Sequence, residues 1–297
     1  VQILIPSKTF YSITMLRLAI QKKGRLSEDS IALLKECDIS FPQSTGSLIT
    51  AAYDFPMEIL FLRDDDIPGY VQDQVADIGI VGENVLEESR KEADIIMPLG
   101  FGRCRLSLAI PKNIDYSGIN YFQNKNIATT YPNILRSYLL QNGVDADIHE
   151  ISGSVEIAPS LGLAEGICDI VSTGSTLLSN GLKEVEPIFR SQAVLIADKQ
   201  LTGIKKDILE KLVFRLTAVK KAKKNKYILL NAPNDSLDTI ISLLPGIKSP
   251  TVLPLARDGW SSLHSVITET DFWENIEKLK LAGAEGILVM PIEKLIY

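Results

Sequence analysis

Histidine and cysteine are scarce in this chain of 297 residues: two histidines, His149 and His264, and three cysteines, Cys37, Cys104 and Cys168. The cysteines are far apart, odd in number and never in C-x-x-C spacing, which excludes a zinc ribbon and a disulfide framework. Each sits in apolar or strand-like sequence and reads as a small core residue. Neither histidine lies in a metal-ligand spacing, and a Ser-His-Asp triad would have to be built from these two alone. Long apolar runs are missing as well: no stretch approaches the roughly 20 apolar residues of a membrane span. A basic excess is also lacking. Lysine and arginine number 31 against 37 acids, for a formal charge of −6, which argues against the basic face that non-specific nucleic-acid binding needs. Anionic substrates are not excluded, because local fields and a metal ion outweigh net charge. Residues 1–14 have an apolar start but no basic n-region and no long h-region, so no signal peptide is expected. Met15 reads as the natural start, residues 1–14 as an extension, and the protein as cytoplasmic.

What is present is organised around residues 152–177. Ile167 to Val171 reads as a short buried strand that enters the polar turn Ser172-Thr173-Gly174-Ser175-Thr176, before an apolar Leu177-Leu178. This is the grammar of an anion cradle. A glycine lets backbone N–H groups approach a ligand, hydroxyls add donors, and a following helix N-terminus adds positive charge. Asp169 precedes the loop; a carboxylate there cannot bind phosphate but can accept two hydrogen bonds from a sugar diol. Together they suggest a ribose 5-phosphate site. The bland alternative is an ordinary polar turn, with Asp169 as a turn or capping acid.

Along the chain, strands are expected at Leu16–Ile20, Glu58–Leu62 and Asp77–Val81, each followed by a polar turn and a helix. Ser27 reads as the cap of the first helix, and Pro68 suits the first turn of the second. Strand, turn and helix in repetition mean a parallel sheet with helices on its faces, and ligands then bind beyond the carboxyl ends of the strands. Gly100-Phe101-Gly102 reads as a hinge. A second set of strands begins at Cys104, and the extended run Ile188–Ala197 crosses back. A bilobal α/β body with a cleft is expected: one lobe from 15–103 and 188–225, the other from 104–187. The lysines at 220–224 read as a solvated helix end. Beyond them the pattern resets to βαββαβ over 226–297, a ferredoxin-like unit.

Several stretches carry a resemblance, in the same order from about Met15 to the C-terminus: Gln21-Lys22-Lys23-Gly24-Arg25-Leu26, Arg63-Asp64-Asp65-Asp66-Ile67-Pro68-Gly69, Asp77 to Glu88, Cys104 to Ala109, Ile127 to Pro132, and Glu156 to Leu177. They resemble the ATP phosphoribosyltransferase family in its long form. The resemblance implies two catalytic lobes like periplasmic solute-binding proteins plus a C-terminal regulatory domain. It implies that ATP and phosphoribosyl pyrophosphate are condensed in the first step of histidine biosynthesis, with Mg²⁺ on the pyrophosphate and no enzyme nucleophile. It also implies histidine as feedback inhibitor and a homo-oligomer, dimer to hexamer. Thr173, Gly174, Ser175 and Thr176 would hold the 5-phosphate and Asp169 the ribose hydroxyls, with Cys168 where many other phosphoribosyltransferases carry a second acid. Glu156 would orient the ribose or the loop. Lys22, Lys23 and Arg25 are candidates for the triphosphate or leaving pyrophosphate, with the choice between the two lysines open. Arg63 with Asp64 to Asp66 either faces substrate or forms an ion network at a helix start. Tyr131 either stacks on adenine or is a strand-end aromatic. Asn231 and Thr251 correspond to histidine-site positions, and Asn231 departs from the His or Asp of relatives; its alternative role is to cap the turn before Pro233. Two rival readings are a bilobal binding protein without catalysis and a nucleotide-sensing regulator; turnover separates them from the enzyme.

Overall fold

The computed structural model describes residues 15–42, 47–172, 174–244, 246 and 248–296. The expected extension 1–14 and Thr173 of the loop lie outside them. The described residues divide into two compact units, one up to residue 35 with 39–209 and one of 36–38 with 210 onward.

The first unit holds two sheets. The first sheet has six strands in the order β2-β3-β1-β4-β11-β5: Ile49–Ala51, Met57–Leu62, Leu16–Gln21, Ile78–Gly82, Ala193–Ala197 and Asp94–Pro98. Strand β1 pairs in parallel with β3 and β4, while β11 returns antiparallel to β4 and β5. These central strands are near-continuous apolar runs because both faces are covered, as parallel sheets require; Leu18, Ile20, Ile59, Ile78 and Leu195 are all fully buried or nearly so. Helices α1 (Arg25–Glu36), α2 (Ile67–Gln72) and α3 (Glu83–Ser89) follow β1, β3 and β4. Pro68 does occupy the first turn of α2. Ser27 lies inside α1, not at its cap: the helix already begins at Arg25, directly after Gly24 at φ +102°.

The second sheet has five strands in the order β10-β6-β9-β7-β8: Leu182–Ser191, Cys104–Pro111, Gly166–Val171, Asn126–Thr129 and Asp147–Glu150. Here β7 pairs in parallel with β8 and β9. Its core gathers Leu106, Leu108, Phe122, Ile127 and Leu135, the last from α4 (Pro132–Gln141). The short α5 (Ser175–Ser179) follows β9. The crossing back to the first sheet falls at Gln192 rather than at residue 188, because β10 stays paired with β6 through Ser191↔Cys104.

Helix α6 (Gly203–Lys224) ends in the lysine run, with Lys221, Lys223 and Lys224 in its last turn as expected, and the two compact units divide within this helix, at Leu209/Glu210. The second unit is built from β12 (Asn225–Pro233), α7 (Leu237–Leu243), β13 (Thr251–Pro254), β14 (Trp260–Thr268), α8 (Glu269–Leu281) and β15 (Glu285–Pro291). This is βαββαβ, with the antiparallel order β13-β14-β12-β15 of a ferredoxin-like sheet. Thr268 caps α8 by accepting from the Asp271 amide at 3.1 Å. Ile228, Leu230, Ala232 and Leu263 face the helices and are buried. Alternation along the strands then puts Tyr227, Leu229, Asn231, Ser262 and His264 on the opposite face.

Candidate active site

The parallel strands of the first unit end in polar turns, where ligands bind in such sheets. On the first sheet β1 leads into Lys22-Lys23-Gly24-Arg25, β3 into Arg63-Asp64-Asp65-Asp66 and β4 into Glu83-Asn84. The Lys22 amide donates to the Leu62 carbonyl at 2.8 Å, so the basic turn abuts the acidic one. On the second sheet β7 leads into Thr130-Tyr131, β8 into Ile151-Ser152-Gly153 and β9 into the loop from Ser172.

A cleft of about 720 Å³ lies beside the turns after β3, β7 and β8, lined by Asp64, Asp65 and Glu88 from the first sheet's turns and helices and by Tyr131, Arg136 and Gly153 from the second's. Side chains tie its walls together. The Glu88 carboxylate accepts from the amides of Asn133 and Ile134 at 2.8 and 2.9 Å, two first-turn N–H groups of α4 that have no intrahelical partner. The Asn133 side chain donates to the Glu88 carbonyl at 2.9 Å. Arg90 donates to the Asn133 carbonyl at 3.1 Å and to the Ser137 hydroxyl at 2.8 Å. The Asn84 side-chain amide donates to the Tyr131 hydroxyl at 3.2 Å. Burial pushes the Glu88 carboxyl above its ordinary pKa, against the pull of the two amides.

The electrostatics of the cleft are acidic. Asp169, half-buried near the end of β9, accepts from the Ile170 amide at 2.7 Å. Burial raises its pKa, and the nearby Glu156 charge raises it further. Burial pushes the Tyr131 phenol well above its usual range; the Asn84 bond opposes this, and the charges of Asp169, Asp64 and Asp65 add to it. Tyr131 is thus held protonated among carboxylates. Asp65 is raised too, by burial and then by Asp64 and Asp66, while Arg63 pulls it down.

The structure therefore brings Tyr131, Asp64 and Asp65 together at the cleft, with Asp169 near enough for its charge to act on Tyr131. Lys22, Lys23, Arg25 and Arg63 are exposed in the adjoining turns and are not part of the cleft lining. In the loop, Gly174 sits at φ +80°, a conformation that favours glycine. A Cβ there would meet only Val171, at 3.9 Å, so the protein itself leaves room. Helix α5 spans only five residues, so its dipole adds less to the loop than expected. Among the described residues no cluster of three or more His, Cys, Asp or Glu could hold a metal ion. Asn231 and Thr251 lie in the second unit, on the sheet face away from the helices: Asn231 pairs with Ser262, and Thr251 with His264, across β14. Asn231 sits within β12 and caps no turn. Sequence reasoning did not single out Asn84, Glu88, Asn133 or Arg136. The first two lie in the Gly82-Glu83-Asn84 and Glu87-Glu88 stretch and Asn133 follows Pro132, but only the folded lobes show that α3 and α4 meet.

Comparison with known proteins gives two family matches. The family model described as HisG, ATP phosphoribosyltransferase, matches residues 63–218, and the one described as HisG, C-terminal domain, matches residues 222–294. An ATP phosphoribosyltransferase of Cytophaga hutchinsonii is 62% identical over 283 residues, covering 95% of this chain and 99% of the relative. One of Bacteroides fragilis is 57% identical over 282 residues, covering 95% and 100%. Among solved structures, the ATP phosphoribosyl transferase (HisG:HisZ) complex from Thermotoga maritima matches at 31% identity and TM-score 0.60, covering 68% of this chain and 97% of that one. A protein crystallised with L-arginine matches at 11% identity and TM-score 0.50 over 73% of this chain and 90% of its own. That likeness carries fold alone.

Proposed function

The chain belongs to the ATP phosphoribosyltransferase family, the pentosyltransferases of histidine biosynthesis, in its long form, and from that premise we propose how its residues carry the reaction. The substrates are ATP and phosphoribosyl pyrophosphate. Nitrogen 1 of adenine forms a bond to the anomeric carbon of the ribose while the carbon–oxygen bond to pyrophosphate breaks, giving phosphoribosyl-ATP. The adenine lone pair is the nucleophile, so the enzyme supplies positioning and charge stabilisation.

In this reading the loop Thr173-Gly174-Ser175-Thr176 holds the 5-phosphate through backbone and hydroxyl donors. Asp169 accepts from the ribose hydroxyls, with Glu156 behind it. The nucleotide lies in the cleft against Tyr131. Lys22, Lys23, Arg25 and Arg63, exposed at the neighbouring strand ends, take the triphosphate or the leaving pyrophosphate. Magnesium, where the substrate brings it, would neutralise phosphate charge and would need few protein carboxylates to hold it. The observation that supports this reading is the cleft at the ends of the parallel strands, lined by Asp64, Asp65 and Tyr131, in a chain of this family. A cytoplasmic location is part of the same proposal.

The second unit is the regulatory one. Its sheet face opposite the helices carries Asn231 and Thr251 beside the exposed apolar side chains of Leu253, Leu288 and Met290. Polar contacts flanked by apolar walls suit a bound histidine, and the uncovered apolar surface suits subunit assembly toward a hexamer. Histidine then inhibits by favouring one conformational state, without competing at the ribose site. The test is to mix purified protein with ATP, phosphoribosyl pyrophosphate and Mg²⁺ and follow pyrophosphate release and a new ultraviolet-absorbing adduct. Turnover supports the assignment; binding of either substrate without turnover contradicts it.

A further inference from the structure

Asn84 and Ser191 are among the few buried polar residues of the first unit, each 5% exposed. Buried amides and hydroxyls must find partners, and here the partners fix a direction. The Ser191 hydroxyl accepts from the Asn84 backbone amide at 3.1 Å and donates to Asn84 Oδ1 at 2.7 Å. With its oxygen engaged by the Asn84 backbone amide, Ser191 gives its proton to Asn84 Oδ1, which turns the Asn84 amide nitrogen toward Tyr131. Gly82 makes room for this side chain: a Cβ there would stand 2.5 Å from Asn84 Oδ1.

The consequence falls on Tyr131. Its oxygen accepts from Asn84 Nδ2 at 3.2 Å, so its own O–H must donate elsewhere. Its ring packs against the core of the second sheet, while the residue lines the cleft. No acceptor for this proton occurs among the described residues. The surrounding charges are Asp64, Asp65 and Asp169, which repel a phosphate and leave a neutral acceptor as the fitting partner.

We propose that Tyr131 meets the nucleotide through its hydroxyl, as a hydrogen-bond donor to an adenine ring nitrogen other than the attacking one, and that Asn84 and Ser191 are positioning residues that aim this donor. The proposal rests on the cleft being the nucleotide site. It explains why an asparagine is buried behind Tyr131: aspartate at position 84 would accept from Tyr131 and turn the proton away from the ligand.

The test is a double-mutant cycle in the full-length enzyme. Tyr131→Phe keeps the ring and should lower kcat/KM for ATP about tenfold, the scale of one hydrogen bond to a ligand, with a modest drop in melting temperature because the buried Asn84 amide loses its acceptor. Asn84→Asp should lower it by a similar factor in the wild-type background and by almost nothing in the Tyr131→Phe background. Ser191→Ala should weaken activity less, with Ser191→Thr restoring it. With 3-deaza- or 7-deaza-ATP, one analogue should cost the wild type the same factor and cost Tyr131→Phe nothing further. Wild-type kcat/KM in Tyr131→Phe overturns the proposal, as does an Asn84→Asp loss of equal size in both backgrounds, or wild-type use of both analogues as well as ATP. Should Asn84→Asp not fold, Tyr131→Phe, the Ser191 pair and the analogues decide. A wild-type enzyme that forms no adduct refutes the parent reading instead; an Asp169→Asn loss beside an active Tyr131→Phe refutes this inference alone.

Discussion

The two units use their sheets in opposite ways. In the first, the central strands are covered on both faces, and the polar residues gather at the strand ends. In the second, one face of the sheet packs on helices and the other is open, with Leu288 55% and Met290 41% exposed. A sheet buried on both faces offers a ligand only its ends; a sheet covered on one side offers a face. Catalytic positioning suits the first, where side chains on fixed strand ends point into a cleft between lobes. Binding of an effector or of another copy suits the second, where apolar area and a few polar groups lie in one plane.

The sharpest way to break this contrast is at the loop after β9. Gly174→Val puts a β-branched residue at φ +80°, where strain runs about 1–3 kcal/mol before any clash with phosphate is counted. The affinity for phosphoribosyl pyrophosphate should fall about a hundredfold, the factor that roughly 3 kcal/mol carries, while ATP affinity holds; calorimetry with each substrate decides. A matched pair in the second unit comes next. Leu230, fully buried under the helices, should cost about 2–5 kcal/mol of stability on truncation to alanine. Leu288, on the open face, should cost within about 0.5 kcal/mol, and denaturant melts of the two variants measure the difference. If Leu288→Ala proves as costly as Leu230→Ala in a monomeric sample, the face is not open.

A smaller effect is expected from Asn231→Leu, which removes the polar group from the proposed effector face. Inhibition by histidine should weaken about tenfold, the loss of one hydrogen bond, with uninhibited turnover unchanged. Inhibition curves at saturating substrate read it directly. The smallest effect concerns stability and pH. Asp169 has its folded pKa raised, chiefly by burial. Its ionised form therefore weakens the fold above the ordinary carboxylate range, and the penalty disappears below the unfolded pKa, where both states bind the proton. Asp169→Asn should raise the melting temperature slightly at neutral pH, and the gain should fade in acid.

The fold was legible because the sequence alternates apolar strands and polar turns with little ambiguity. Ile167–Val171, Asp77–Val81 and the βαββαβ order all appear near the expected positions. Less visible were strands whose pairing is long-range: Asp94–Pro98 and the first half of β10 carry polar residues and a proline. The candidate site was legible only in part. Tyr131 and Asp169 stood at strand ends, where sequence logic looks. Glu88, Asn84 and Ser191 have no local signature, since their partners lie tens of residues away, as in the Ser191–Asn84 bond spanning 107 positions. The lysines of the first turn were equally legible as residues, but what they hold depends on a ligand.

The central claim is that the strand ends of the first unit carry the chemistry, and Asp169 tests it most directly. Wild type and Asp169→Asn, each with ATP, phosphoribosyl pyrophosphate and Mg²⁺, are compared for pyrophosphate release and adduct formation, with melting temperatures recorded alongside. The account predicts a folded variant, at least as heat-stable as wild type, whose turnover is lower by about a hundredfold, the order seen when a positioned polar group is removed from an active site. Wild-type turnover in a well-folded Asp169→Asn protein would contradict it.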